Sequence, residues 1–155
     1  MVVGRTYISA TGFSLGARVP VERASDKDTR QFIDFLKEDG FASFRRSEAG
    51  VAEMALAAIK DCLTKSPVVP EDIDTVIFAT ESFMDAGATD PTAVRNTFLS
   101  GLAETCGITR AAVHACWLNE CANLSYALSL AHGLVASSSA QNVLVVVAAS
   151  KRRLS

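Results

Sequence analysis

Three short apolar runs constrain this chain more than any other feature: "DTVIFATES" at 74–82, "AAVHACWL" at 111–118 and "NVLVVVAAS" at 142–150. Each is almost continuously apolar, the pattern of a strand covered on both faces rather than one half in water. The stretches between them read as helices. "TDPTAVRNTFLSGLAETCG" has Asp90 as N-cap, Pro91 at the first helical position, a stripe of Val94, Phe98 and Leu102, and Gly107 as terminator. The segment from Cys121 to about Ser138 is the next helix. The order β-α-β-α-β with loops of a few residues predicts an α/β fold with a parallel sheet and right-handed crossovers.

Upstream, "TYISATGFSLG" has strand composition and is closed by Gly12 and Gly16. "VPVERASDKDTRQFIDFLKEDG" predicts an extended piece, then a short helix over Asp28 to Lys37 stopped by Gly40. "SEAGVAEMALAAIKDCLTKS" is the clearest amphipathic helix. Val51, Met54, Ala55, Ala58, Ile59, Cys62 and Leu63 recur at helical spacing, with Glu53, Lys60 and Asp61 on other faces.

Composition narrows the function. A net charge of −2 over 155 residues gives no electrostatic reason for nucleic-acid binding, and the terminal "KRR" reads as a solvated tail. No export signal opens the sequence, and "VLVVVAA" is too short to cross a bilayer. The expectation is a cytoplasmic protein with no membrane partner. Cys62, Cys106, Cys116 and Cys121 form no CxxC or Cys/His zinc pattern, so no metal site is expected and reduced thiols are. Cys62, Cys106 and Cys116 read as packing residues. No GxGxxG or Walker loop follows any strand, which argues against a dinucleotide fold.

The 121–138 helix carries two faces. Leu124, Leu128, Ala131 and Val135, widened by Ala127, Leu130 and Leu134, make an apolar one. Ala122, Ser125, Ser129, Gly133 and Ala136 make a stripe of small residues suited to close approach by another backbone; nothing else in the 155 residues matches it, so that partner is expected on another chain or on a missing half of this one. Cys121 stands at the start of that helix. There the unpaired amide N–H groups and the positive end of the macrodipole favour thiolate, and the carboxyl ends of parallel strands are where open α/β sheets place ligands. On spacing alone Cys121 reads either as a nucleophile or as a small buried residue at a tight turn.

The order strand, "NECANLSYALSLAHGLVASSSAQ", strand "NVLVVVAAS" resembles the nucleophile helix of the thiolase-like superfamily, nearest to β-ketoacyl-acyl-carrier-protein synthase III and its secondary-metabolism relatives. In that family a cysteine in a pattern like A-C-S-G opens the helix, and Cys121 matches it. "ISATGFSLGARVPVE" resembles the family's opening strand and the turn after it. "DIDTVIFATES" is similar to I-D-x-I-V-V-A-T-T, and "LAETCGITRAAVHACW" to the segment leading into the cysteine. The resemblance implies an acyl-transferring, Claisen-condensing enzyme that takes an acyl group onto Cys121 from an acyl-CoA or a phosphopantetheinyl acyl carrier protein. It implies no tightly bound cofactor. Arg45 and Arg46 in "FRRSE" become candidate contacts to the carrier's phosphates.

The departures matter as much. Ala122-Asn123-Leu124 replaces the small residues and glycine that usually follow the cysteine, which would reshape an acyl pocket. Glu81 in "ATES" stands where threonine is usual. It is similar instead to the hydroxymethylglutaryl-CoA synthase pattern G-T-E-T, in which the glutamate is a catalytic acid/base; otherwise Glu81 is a solvated loop carboxylate. Glu120, next to Cys121, would raise the thiol pKa if close. The family fold comprises two similar halves, and the second supplies the His and Asn that activate the cysteine. The chain, 1–155, corresponds to the N-terminal half-domain, so a C-terminal half or homologous subunit is expected as partner within a homo- or hetero-oligomer. His114 and His132 match neither motif position; the first reads as a satisfied core residue and the second as a packing or interface one. The third possibility is a non-catalytic structural or chain-length-setting subunit.

Overall fold

The computed structural model describes residues 5–24, 30–80, 99–116 and 122–148. Contacts divide it into two compact units, one of residues 1–14 and 50–155, the other Leu15–Ala49.

The larger unit is built on a parallel sheet. Strand β3 (Thr75–Ala79) lies between β4 (Ala112–Cys116) and β5 (Val143–Val147), in the order β4-β3-β5. Thr75 pairs with Ala112 on one side and Val143 on the other, and Ala79 with Cys116 and Val147, so the three strands end level. All five residues of β3 are buried, as an unbroken apolar run requires of a central parallel strand. Alternation divides them between two cores. Val76 and Phe78 join Ala55 and Ile59 of helix α2 (Val51–Lys65) and Leu99, Leu102 and Ala103 from the helical turns at 99–105. Ile77 and Ala79 face Ala127 of helix α3 (Asn123–Ala136), with Leu130, Ala131 and Leu134 packed around them. The result is a helix–sheet–helix sandwich. Burying Phe78 and Ile77, 2% and 0% exposed, supplies about 1.5–3 kcal/mol each.

Local chemistry sets the element ends. Helix α2 buries Val51, Ala55 and Ile59, spaced four apart. It stops at Ser66, whose extended backbone (ψ 139°) is what a following proline, Pro67, demands. The turns at 99–105 close with Gly107 at φ 79°, its N–H donating to Glu104 C=O while Ile108 N–H donates to Ala103 C=O. At the amino ends of the strands, Asp74 Oδ2 accepts the N–H groups of Gln141 (2.7 Å) and Asn142 (2.8 Å), and its backbone bonds both Asn142 and Ala112. One carboxylate thus fixes where β5 begins relative to β3.

The opening strand expected over "TYISATGFSLG" is absent among the described residues. Residues 5–14 run without strand pairing, with Tyr7 and Ile8 largely exposed. β-propensity alone does not make a strand; a pairing partner is needed. The segment is instead strapped to α2. Gly12 lies so close to the backbone of Ala58 and Cys62 that a Cβ would collide with both. Beyond it, Phe13 N–H donates to Asp61 Oδ2 at 3.0 Å, and Lys65 bonds the same oxygen while standing 5.2 Å from the Phe13 ring centre.

In the second unit, β1 (Ala17–Pro20) and β2 (Ser43–Arg46) form an antiparallel ribbon. Helix α1 (Ile33–Glu38) is shorter than the 28–37 expectation, part of which lies outside the described residues, and Gly40 follows it at φ 86°.

Two further expectations change. His114 is exposed on β4 rather than in the core, because β4 lies at the edge of the described sheet and buries only Cys116 fully. On α3, Ala127, Leu130, Ala131 and Leu134 face the sheet as expected, but Leu124 and Leu128 do not and are 46% and 41% exposed. The sheet-facing stripe runs through positions 123, 127, 130, 131 and 134, about 100° per residue, which turns 124 and 128 outward.

Candidate functional site

Parallel strands that end level create one rim, and the chemistry expected here belongs at its carboxyl end. Thr80, the residue after β3, is 3% exposed, and its N–H donates to Cys116 C=O at 3.0 Å. On the other side of β3, Ala148 N–H donates to Ala79 C=O at 3.2 Å. Helix α3 then starts at Asn123, which is 4% exposed. Its N-cap position is Ala122, with no side-chain cap and no acidic residue in the first turn. The positive end of the helix macrodipole therefore lies at this rim.

Glu81 and Cys121 lie outside the described residues. Their sequence neighbours do not: Thr80 precedes Glu81, and Ala122 follows Cys121. Asn123 turns toward the sheet and Leu124 away from it, so of the two residues expected to reshape an acyl pocket only Asn123 points inward.

The three described cysteines behave as packing residues. Burial pushes the Cys116 thiol above its ordinary pKa. Burial does the same to Cys106, against a weak opposing pull from Lys60. It also raises Cys62, helped by the Asp61 charge next to it. A raised pKa keeps these groups as neutral thiols, poor nucleophiles near neutral pH.

Arg45 and Arg46 belong to the Leu15–Ala49 unit. Both are exposed on β2, and strand alternation sends them to opposite faces. Arg46 Nε pairs with Glu48 Oε1 at 3.3 Å, and Arg45 Nη1 donates to Gly16 C=O at 3.4 Å. The residue that shares a face with Arg45 is Arg18, directly across the ribbon. Sequence reasoning missed it because cross-strand register is not written in either strand alone. His132 is exposed on α3. Among the described residues no group of three or more His, Cys, Asp or Glu side chains could hold a metal ion, and no helix is long and apolar enough to cross a membrane.

Solved structures share this architecture. The 3-oxoacyl-[acyl-carrier-protein] synthase III from Aquifex aeolicus VF5 superposes with a TM-score of 0.68 at 21% identity, over 91% of this chain. The fold is that of a thiolase-like synthase III. The priming β-ketosynthase of the R1128 polyketide pathway gives 0.69 at 22% identity over 92% of this chain, and the Thermus thermophilus synthase III 0.66 at 25% over 93%. The chain spans only 44%, 41% and 43% of those three chains, so it carries somewhat less than half of a synthase III fold. No protein-family model and no curated protein matches the sequence.

Proposed function

We propose that this chain is the cysteine-bearing N-terminal half of an acyl-transferring, Claisen-condensing enzyme of the ketoacyl synthase III type. One observation carries the reading: a helix N-terminus, at the carboxyl rim of a parallel synthase III sheet, immediately follows Cys121 in sequence. In the reaction, the Cys121 thiolate attacks the carbonyl carbon of an acyl thioester. The oxyanion forms against amide N–H groups, that of Cys121 among them. The carbon–sulfur bond to the carrier then breaks, and the carrier leaves as a thiol after taking up a proton. The acyl group on sulfur is afterwards passed to a carbon nucleophile. The His and Asn that hold the proton and the second oxyanion contact come from a C-terminal half or a homologous subunit. No tightly bound cofactor is needed. The donor is a CoA or carrier-protein thioester, with Arg45 and Arg46 as phosphate contacts, and the assembly is a cytoplasmic dimer or hetero-oligomer.

Incubation with an acyl-CoA in the presence of the partner should add one acyl mass to the peptide holding Cys121, and Cys121→Ala should abolish it. No adduct under those conditions would favour the non-catalytic, structural role. An aldol step of the hydroxymethylglutaryl-CoA synthase kind is the second reading. It is favoured by the burial of Thr80, the residue that precedes Glu81 in sequence at the strand end; a carboxyl in a poorly hydrated site is suited to acid/base work. Glu81→Gln separates the two: it abolishes turnover but spares acyl loading if Glu81 is the acid/base, and spares both if it is not.

A further inference from the structure

Helix α3 lacks the charged face that a helix turns to water. Its 14 residues, Asn123–Ala136, include no Asp, Glu, Lys or Arg. Its outward side is nevertheless open: Ser125, Tyr126, Ser129, His132, Gly133 and Ala136 are all exposed, Tyr126 by 52%. At the middle of this side, Ser129 Oγ donates to Ser125 C=O at 2.9 Å. That hydroxyl spends its proton on its own helix, so covering it strands no donor.

The shape of this side matches itself. At about 100° per residue, Ser125, Ser129, Gly133 and Ala136 form its low crest. Tyr126 stands on one flank, one turn before Ser129, and His132 on the other flank, one turn after. A second copy laid antiparallel about a twofold axis at Ser129 sets Tyr126 over Gly133 of the partner subunit. The same operation sets His132 over Ser125 of the partner subunit, and symmetry repeats both contacts in reverse. Each large side chain thus meets a small one. A Cβ built on Gly133 meets nothing within 4 Å, which leaves room for the ring.

Charge selects the occupant. A twofold contact brings every side chain near the axis against its own copy, so a charged face repels itself and an uncharged one does not. A charged partner would find no counter-charge on α3. Antiparallel helices also set opposite dipole ends side by side. The strip is about 20 Å long and about 10 Å wide, which belongs with the smaller interfaces and with micromolar association.

We infer that the outward side of α3 is a self-association surface, on which a second copy of this chain docks antiparallel about Ser129. The inference goes beyond the proposed function and does not rest on it: acylation of Cys121 is read separately, and its success or failure leaves this contact untouched. Sedimentation equilibrium of the full chain should show a reversible monomer–dimer equilibrium in the micromolar range. Ser129→Arg sets a charge against its own copy at the axis and should weaken association at least about a hundredfold. Ala57→Arg adds the same charge to an exposed position of α2 and should change it less than about twofold. Gly133→Gln fills the seat of Tyr126 while meeting nothing in its own chain, and should weaken association about tenfold even if Ser129→Arg fails to fold. On air oxidation, Ser129→Cys should link two chains through residue 129, read from the mass of the joined peptides, whereas Ala57→Cys should not.

A dimer untouched by Ser129→Arg and Gly133→Gln, or the absence of a 129–129 link, would overturn the inference. Monomers at every concentration would overturn it too and assign the face to a different polypeptide.

Discussion

Ser138 closes helix α3 in the left-handed region at φ 59°, where its N–H reaches Val135 C=O and Ser139 N–H reaches Leu134 C=O. The same closure after Glu104 uses glycine, which has no Cβ to crowd the carbonyl. Ser138→Gly should therefore stabilise the chain by about 0.5–1 kcal/mol and raise the melting midpoint by about 1–4 °C in a calorimetric scan. Asp74 gives a pH signature. The N–H groups of Asn142 and Gln141 hold its carboxyl below the ordinary range, so its folded pKa is lower than its unfolded one. The stability this supplies is fully present above the unfolded value near 4 and is lost as pH falls through the lower folded value. Denaturant midpoints of the native chain and Asp74→Asn should differ by a constant amount above about pH 5 and draw together as the pH falls below the lowered folded value.

At the scale of elements, the strap of residues 10–14 on α2 depends on the absence of one methyl group. Gly12→Ala would drive a Cβ into helix backbone that cannot rotate away. It should cost about 1–3 kcal/mol and speed amide exchange at Phe13, whose N–H is held by Asp61. Helix α3 offers a paired test. Ala127 is fully buried against Ile77 and Ala79, so Ala127→Leu should also cost about 1–3 kcal/mol in chemical denaturation. Leu128 points outward, and Leu128→Lys should cost less than about 0.5 kcal/mol. The sequence announces α2 through Val51, Ala55 and Ile59 because polar residues mark its other faces. It does not orient α3, where leucine, alanine and glycine occur all round and any stripe can be drawn; the sheet chooses. Nor does it reveal that Tyr7 and Ile8 sit outside any sheet, since strand composition is silent about partners. At the rim, the order of strands and helix could be read from the apolar runs. The Arg18–Arg45 juxtaposition could not, because it exists only once β1 and β2 have found their register.

For the molecule as a whole, this chain spans 41–44% of the synthase III and priming ketosynthase chains whose fold it shares. A positioned acid/base contributes about 10²–10⁴-fold to such a step. On the proposed function, isolated chain should acylate Cys121 slower than the complete assembly by that factor, measured as adduct mass against time. Robust turnover by the isolated chain would overturn the division of labour. Strand β3 has a consequence for how the protein can vary. Its successive side chains are party walls between the two cores, so a misfit at one site is felt on one side while its neighbour guards the other. A saturation library across Thr75–Ala79, scored by abundance in cells, should show five consecutive intolerant columns, with no solvent-facing position for drift to use.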